Sequence, residues 1–431
     1  MSKLKLAISC PIDCYSGYSA RSRDFVKQLI KLDRFEISIL AQSWGNTRWG
    51  YLDDHNEDEL KGLIIDRLTE QPDIWIQHTV PNEFQKIGKY NIGLTAGIET
   101  TLCDPSWVEG VNRMDLVIVS SEHGKNTFEN SIFDLKDNRT GAINRRYKVE
   151  TPIEVLFEGI DTNIFTNLSP DEIEKTEVVK TLDSIPENFC FLTTGHWMQG
   201  AVGEDRKNIG LTIKNFLETF RNKSKQPALI LKSHTASTSI LDRERILKKI
   251  ESIRKTVKGK LPNIYLLHGE ISDKDMNNLY NHPKVKALIS LTKGEGFGRP
   301  LLEVSFTNKP IIVSYWSGQL DFLDKEHTRF VSGKLNQVDP SAVVKKMILK
   351  ESEWFSPNPV DVRKALNDVY SKYKDWKIKA KKQGFVNRKQ FNIDEMGIKL
   401  NTILDKNLPK IPVKTELKLP KLKLPNLNKK D

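Results

Sequence analysis

Along the chain, short apolar runs alternate with stretches in which apolar residues recur at helical spacing. Residues 4–9, 36–41, 72–77, 90–95 and 115–120 are runs of the first kind, and 21–32, just after a glycine turn, carries the helical repeat. Near-continuous apolar runs suit strands buried on both faces, and strands alternating with helices predict a doubly wound parallel sheet. A second series begins near Asn188, with runs at 189–194, 226–232, 263–268, 286–291 and 310–314. The pattern predicts two Rossmann-like α/β domains facing a cleft, residues 1–167 and 188–385, joined by the polar, acidic linker 168–187. In such sheets ligands bind beyond the carboxyl ends of the strands. After Pro359 the pattern is helical and rich in lysine to about Asp405. From 407 to 431 the chain repeats Leu, Lys and Pro, a composition that blocks both a helix and a core, so it reads as a disordered basic tail.

Composition narrows the class. With 38% hydrophobic residues and a mean hydropathy of −0.47, the 431-residue chain reads as a soluble globular protein of two to three domains. No apolar run approaches the roughly 18 residues of a membrane span. The N-terminus reads as a first strand, not a signal peptide. Four cysteines, Cys10, Cys14, Cys103 and Cys190, without a secretion signal point to reduced thiols and a cytoplasmic location. Cys10 and Cys14 lack the second pair that a structural zinc site needs. The net charge is +11, of which residues 407–431, with seven lysines and two acidic residues, supply +5. The excess favours an anionic partner: substrate phosphates, nucleic acid or an acidic membrane surface.

The candidate chemistry concentrates in Gly294-Glu295-Gly296-Phe297-Gly298-Arg299-Pro300-Leu301-Leu302-Glu303, directly after the apolar run 286–291. Proline is favoured at a helix start, so the stretch reads as strand, glycine loop and helix N-terminus. That geometry aims free N–H groups at an anion, usually a phosphate. Two carboxylates beside a phosphate repel it unless they bind something else, and sugar hydroxyls are natural partners. A nucleotide-sugar site follows from these residues; a glycine turn with solvated glutamates, or glutamates paired with Arg299, is the plain alternative. The string resembles the E-x7-E signature of the retaining GT-B glycosyltransferases, family 4 in particular. The resemblance implies that Glu295 contacts the transferred sugar and Glu303 the ribose, with Gly296, Phe297 and Gly298 lining the donor site. It also implies that the last helix, 386–406, crosses back to the first domain.

Further segments are similar to the same family. In Gly195-His196 through Lys207-Asn208, the family has Gly-Arg, then Lys-Gly; Lys207 matches the lysine, His196 stands in the arginine position, and Arg206 is placed to supply the missing charge. Without a metal, such cations stabilise the leaving diphosphate. Gly17-Tyr18-Ser19-Ala20 resembles the family's first glycine loop, which lies over the diphosphate or near the acceptor, so Gly17 is a donor-binding candidate by resemblance; it has one glycine where many members have two. Residues 155–165 resemble its Asn-Gly-Val-Asp-x-x-x-Phe segment, with Glu158 in the Asn position. Residues 92–100, Trp107 and 114–122 match a further order of family residues that lacks the histidine often found there, so Glu99 or His78 is the expected substitute; each has a bland alternative as a helix cap or a satisfied buried histidine. Asp273-Lys274-Asp275 matches a metal-binding D-x-D pattern, but after Ser272 it reads as a helix N-cap, and no metal is expected. Taken together, the resemblance implies a metal-independent, retaining hexosyl- or pentosyltransferase, with a nucleoside diphosphate sugar as co-substrate and no resident cofactor. Its acceptor is a glycan, lipid-linked sugar or small molecule. A hydroxymethylated base in duplex DNA, a membrane-surface glycan, and a non-catalytic binding role stay open.

Overall fold

The computed structural model describes residues 3–136, 143–235 and 238–409. Two six-stranded parallel sheets carry it, as the apolar runs predicted. In the first, the strands lie in the order Phe35–Ala41, Leu4–Cys10, Ile74–His78, Tyr90–Leu94, Leu116–Val119 and Ile153–Val155. In the second the order is Ile264–Leu267, Ala228–His234, Cys190–His196, Val285–Ser290, Ile311–Ser314 and Arg329–Val331. Each sheet has one place where the strand order reverses: between Leu4–Cys10 and Ile74–His78, and between Cys190–His196 and Val285–Ser290. A crevice opens at such a point, because the connections leave it on opposite faces of the sheet.

Burial explains the runs. Ile8, Ile76, Ile92 and Ile118 are fully buried together with Phe25, Val26 and Leu29 of the Gly17–Leu32 helix. The same apolar cluster continues through Leu156 and Ile160 to Leu192, Ile230 and Leu288 of the second sheet, so the two halves share a core. The opposite face of the second sheet packs Phe191, Leu229 and Ile289 against Ile213, Phe216 and Phe220 of the Ile209–Phe220 helix.

The last helix, Ile393–Asn407, is capped by Asn392, whose side chain accepts from Glu395 N–H. It lies against the Gly17–Leu32 helix of the first half. Lys31 pairs with Asp394 at 2.7 Å, Arg34 with Asp405 at 2.6 Å, and Lys406 with Glu154 at 2.6 Å. Around its start Ile160 N–H donates to Phe391 O at 3.1 Å and Ile393 N–H donates to Ile160 O at 3.0 Å.

Several elements depart from the sequence expectation. The polar stretch 168–187 contains a helix, Glu177–Asp183, that buries Val178, Val179 and Leu182 under an acidic exterior. Two antiparallel pairs, Phe133–Lys136 with Ile143–Tyr147 and Gly333–Gln337 with Glu353–Pro357, flank the sheets. All four cysteines are free and buried. Among the described residues no helix is long and apolar enough to cross a membrane. Of the tail expected at 407–431, residues 410–431 lie outside the described residues.

Candidate active site

The two reversal points bring the sequence candidates together. The loop after Cys190–His196 carries Arg206 and Lys207; the loop after Val285–Ser290 carries Glu295 and leads into the Arg299–Phe306 helix. Gly298 caps that helix at φ 100°, a left-handed conformation that a side chain would strain. Arg299 and Pro300 are its first two residues, and Glu303 lies just over one turn in.

Glu295 is 7% exposed. Lys207 Nζ donates to both its carboxylate oxygens, at 2.6 and 2.9 Å, and Arg206 approaches at 3.3 Å. Burial opposes its charge, yet Lys207 and Arg206 prevail and hold its pKa below the usual carboxylate range. Arg206 also donates to Gly294 O at 3.0 Å and lies 3.4 Å from Glu99 Oε1. Glu99 comes from the first half, so this ion network spans the cleft. Burial pushes Lys207 down, against the pull of Glu295.

Glu303 stands in a second cluster. Its carboxylate accepts from Tyr280 Oη at 3.1 Å and from Arg299 Nε at 3.1 Å. Burial pushes its pKa up to about 7, with Arg299 opposing and Asp273 adding to the rise. Arg299 is shared: its second arm pairs with Asp24 of the Gly17–Leu32 helix at 2.6 Å. Glu158 faces Arg21 at 4.0 Å in the same junction. Burial raises the Glu158 pKa, with Arg21 and Arg299 opposing.

The glycine loop is pressed against the first half. A Cβ on Gly294 would collide with the Glu99 carbonyl, and one on Gly296 would stand 2.7 Å from Ala96 O. Ser121 Oγ donates to Gly296 O, and Phe297 is buried beneath the loop.

His78 and Gly17 sit at the reversal point of the first sheet. His78 ends its strand fully buried, with Nδ1 2.7 Å from Ser22 Oγ and Nε2 without a partner. Its ring stacks on Tyr18, which stacks in turn on Trp44 at 3.8 Å. Burial, then Arg21, pushes the His78 pKa well below its ordinary value, so the ring is neutral. Tyr18 Oη contacts Thr95 Oγ1 and Ala96 N–H, each at 3.1 Å, which links this stack to the glycine loop. Gly17 is the first residue of its helix, with open space where a Cβ would stand.

His196 ends its strand and stacks on His234, with centroids 4.9 Å apart. Desolvation, then His234, Arg206 and Lys207, pushes its pKa to about 4. A neutral His196 brings no positive charge to the site, while Arg206 does. Asn208, the N-cap of the following helix at φ 54°, is buried with its side-chain amide unpartnered. Asp273 and Asp275 occupy a first helical turn capped by Ser272, and no group of metal-holding side chains occurs among the described residues.

Thus Glu295, Glu99, Arg206 and Lys207 form one cluster and Glu303 an adjoining one. His78 and Gly17 lie on the opposite wall, and His196 at the carboxyl end of the central Cys190–His196 strand. Sequence reasoning missed Asp24 and Tyr280, which carry no local signal; Arg299 was readable as the i−4 neighbour of Glu303.

No protein-family model and no curated protein matches this sequence. Solved structures do. HepE from Anabaena, in complex with UDP and glucose, is 13% identical, with 94% of this chain and 100% of that one covered at a TM-score of 0.61. A glycosyltransferase from Rickettsia africae is 14% identical, covering 95% and 100% at 0.61. Sucrose-phosphate synthase from Thermosynechococcus elongatus is 11% identical, covering 94% and 99% at 0.60. At these identities the likeness is one of fold: the two Rossmann-like domains of the GT-B architecture.

Proposed function

We propose that the protein is a glycosyltransferase that takes a sugar from a nucleoside diphosphate sugar. The observation that carries this reading is the cluster of Lys207 and Arg206 on Glu295 and Glu99, set at the crevice of the second sheet beside a glycine loop and a helix N-terminus. HepE, with the same fold, has been solved with UDP-glucose, which makes UDP the first nucleotide to try.

In this reading the donor diphosphate displaces Glu295 from Lys207 and takes Lys207 and Arg206 as its counter-ions, helped by the positive end of the Arg299–Phe306 helix dipole. These cations stabilise the charge that develops on the leaving diphosphate, in a site that excludes water. The freed Glu295 turns to the sugar hydroxyls, Glu303 holds the ribose, and Glu99 approaches the sugar from the facing domain. His78, across the cleft, approaches the reactive sugar beside Glu99, and Gly17 lies over the diphosphate or near the acceptor. Retention of configuration, independence of metal and a hexosyl or pentosyl donor come from the family resemblance and belong to the proposal. So do a cytoplasmic location, supported by the four free cysteines, and a domain division at 1–167, 188–385 and 386–406. A hydroxyl acceptor completes the reaction.

The test is thermal melting with UDP, GDP, ADP, TDP and CDP, without metal, for the wild type and for Glu303→Ala and Lys207→Ala. A ligand that binds only the folded state raises its melting temperature. One nucleotide should stabilise the wild type and neither variant to the same degree. No shift with any nucleotide at millimolar concentration removes the donor assignment.

A further inference from the structure

The Tyr373–Gln390 helix turns one stripe inward. Trp376, Ala380, Gln383, Gly384 and Asn387 are buried, with Gln383 donating to Phe322 O and Asn387 to Ser305 Oγ. Its outward stripe is unlike an ordinary solvated face. Ile378 is 59% exposed, Phe385 56% and Val386 37%. Ile378 and Phe385 lie seven residues apart, two turns along one line of the helix. Lys374, Lys379, Lys381, Lys382 and Lys389 surround them, all exposed. Over its length the helix has seven cationic residues and one acidic residue, a net charge of +6. Among the described residues, none of these five lysines pairs with a carboxylate. Lys379 and Lys389 lie instead over the rings of Trp376 and Phe385, at 4.4 and 4.6 Å.

We propose that this face docks the protein on an anionic membrane surface, Phe385 and Ile378 entering the headgroup layer while the lysines meet lipid phosphates. A nucleic acid would satisfy the lysines but leave the aliphatic side chains of Ile378 and Val386 in water. An uncharged protein surface would cover the apolar side chains and leave the lysines unpaired. An acidic bilayer surface answers both, as in helices that lie in the membrane plane with lysines flanking an apolar strip. One side of the helix is committed to the protein core, so it rests on the bilayer and does not enter it. The inference uses nothing from the donor site and stands apart from the proposed function.

The experiment is co-sedimentation of the full chain with vesicles of phosphatidylcholine mixed with phosphatidylglycerol, and with phosphatidylcholine alone. The wild type is expected on the anionic vesicles and not on the neutral ones, with binding that weakens as salt is added. Lys381→Glu with Lys382→Glu, and separately Ile378→Ser with Phe385→Ser, should each lower the partition roughly tenfold or more at an unchanged melting temperature. Phe385→Trp keeps the apolar surface, and its added emission should shift to the blue on anionic vesicles only. A wild type that ignores anionic vesicles overturns the proposal. So does unchanged partition of the Ile378/Phe385 variant, which would place binding on the lysine-rich tail. Binding of duplex DNA that the lysine variant loses, without vesicle binding, would make this a nucleic-acid surface and overturn it as well.

Discussion

Glu295 and Glu303 are eight positions apart and sit in opposite electrostatic surroundings. Both are buried, which penalises their charge. Glu295 has Lys207 and Arg206 against it and stays below the ordinary range; Glu303 has a single cation, Arg299, already shared with Asp24, beside the neutral Tyr280 hydroxyl, and rises to about 7. In the proposed ribose role the ionised carboxylate accepts from two hydroxyls better than the neutral acid, so nucleotide binding should draw a proton off Glu303. UDP affinity is therefore expected to rise between pH 6 and pH 8 by calorimetry, about tenfold more in the wild type than in Glu303→Gln, which should bind more weakly and keep only the rise that ionisation of UDP's terminal phosphate brings. The raised pKa also acts on folding. Because the folded value lies above the unfolded one, ionising Glu303 works against the native state. Its contribution is most favourable below the ordinary carboxylate range and declines as pH rises towards 7. An equal pH dependence in the wild type and in Glu303→Gln would remove Glu303 from the ribose.

The helices Gly17–Leu32 and Arg299–Phe306 belong to different sheets and meet through one ion pair, Asp24 with Arg299. Removing one partner of a largely buried pair leaves the other charge uncompensated. Asp24→Ala should cost about 2 kcal/mol, and the Asp24→Ala, Arg299→Ala cycle should show a coupling of about 1–3 kcal/mol in urea denaturation. Without Asp24, Arg299 serves Glu303 alone, so the pH at which UDP affinity rises should move down in Asp24→Ala. An additive cycle would mean that the pair contributes nothing to holding the halves together. Elements of this kind divide into those the sequence displays and those it hides. The inner strands of both sheets were readable because burial on both faces demands unbroken apolar runs. The Glu177–Asp183 helix was hidden, since Val178, Val179 and Leu182 are a minority among acidic neighbours. The edge strand Arg329–Val331 has only three residues and no pattern to read. Glu295 could be singled out because a glycine loop and a proline-started helix follow an apolar run, and Arg206 and Lys207 through the resemblance of their loop to the family's Gly-Arg and Lys-Gly segment. Asp24 could not, because its partner is 275 positions away and only the fold joins them.

At the scale of the whole molecule, the same contacts define a closed cleft. Ser121 donates to Gly296 O, Glu122 N–H to Asp321 at 2.9 Å, and Thr101 N–H to Glu353 O at 2.9 Å, each bond crossing from one half to the other. At the centre Gly294 meets the Glu99 carbonyl with no room for a methyl group. The loop's glycines thus answer two separate demands: the left-handed turn at Gly298 serves the helix start, while Gly294 lets the facing domain come close enough for Glu99 to reach Arg206. Arg206, Lys207, Glu295 and Glu303 all belong to the second half, so the proposed nucleotide site does not depend on the Gly294 contact, whereas any chemistry that needs both walls does. Gly294→Ala should therefore separate binding from turnover. Its radius of gyration by solution scattering should increase, and UDP affinity should change by less than about threefold. Turnover of the nucleotide sugar whose nucleotide stabilises the wild type should fall on the order of a hundredfold, the usual consequence of misplacing reacting groups by an ångström. An unchanged radius with unchanged turnover would mean that the loop yields to the added methyl, and that contact at Gly294 does not set the distance between the two walls.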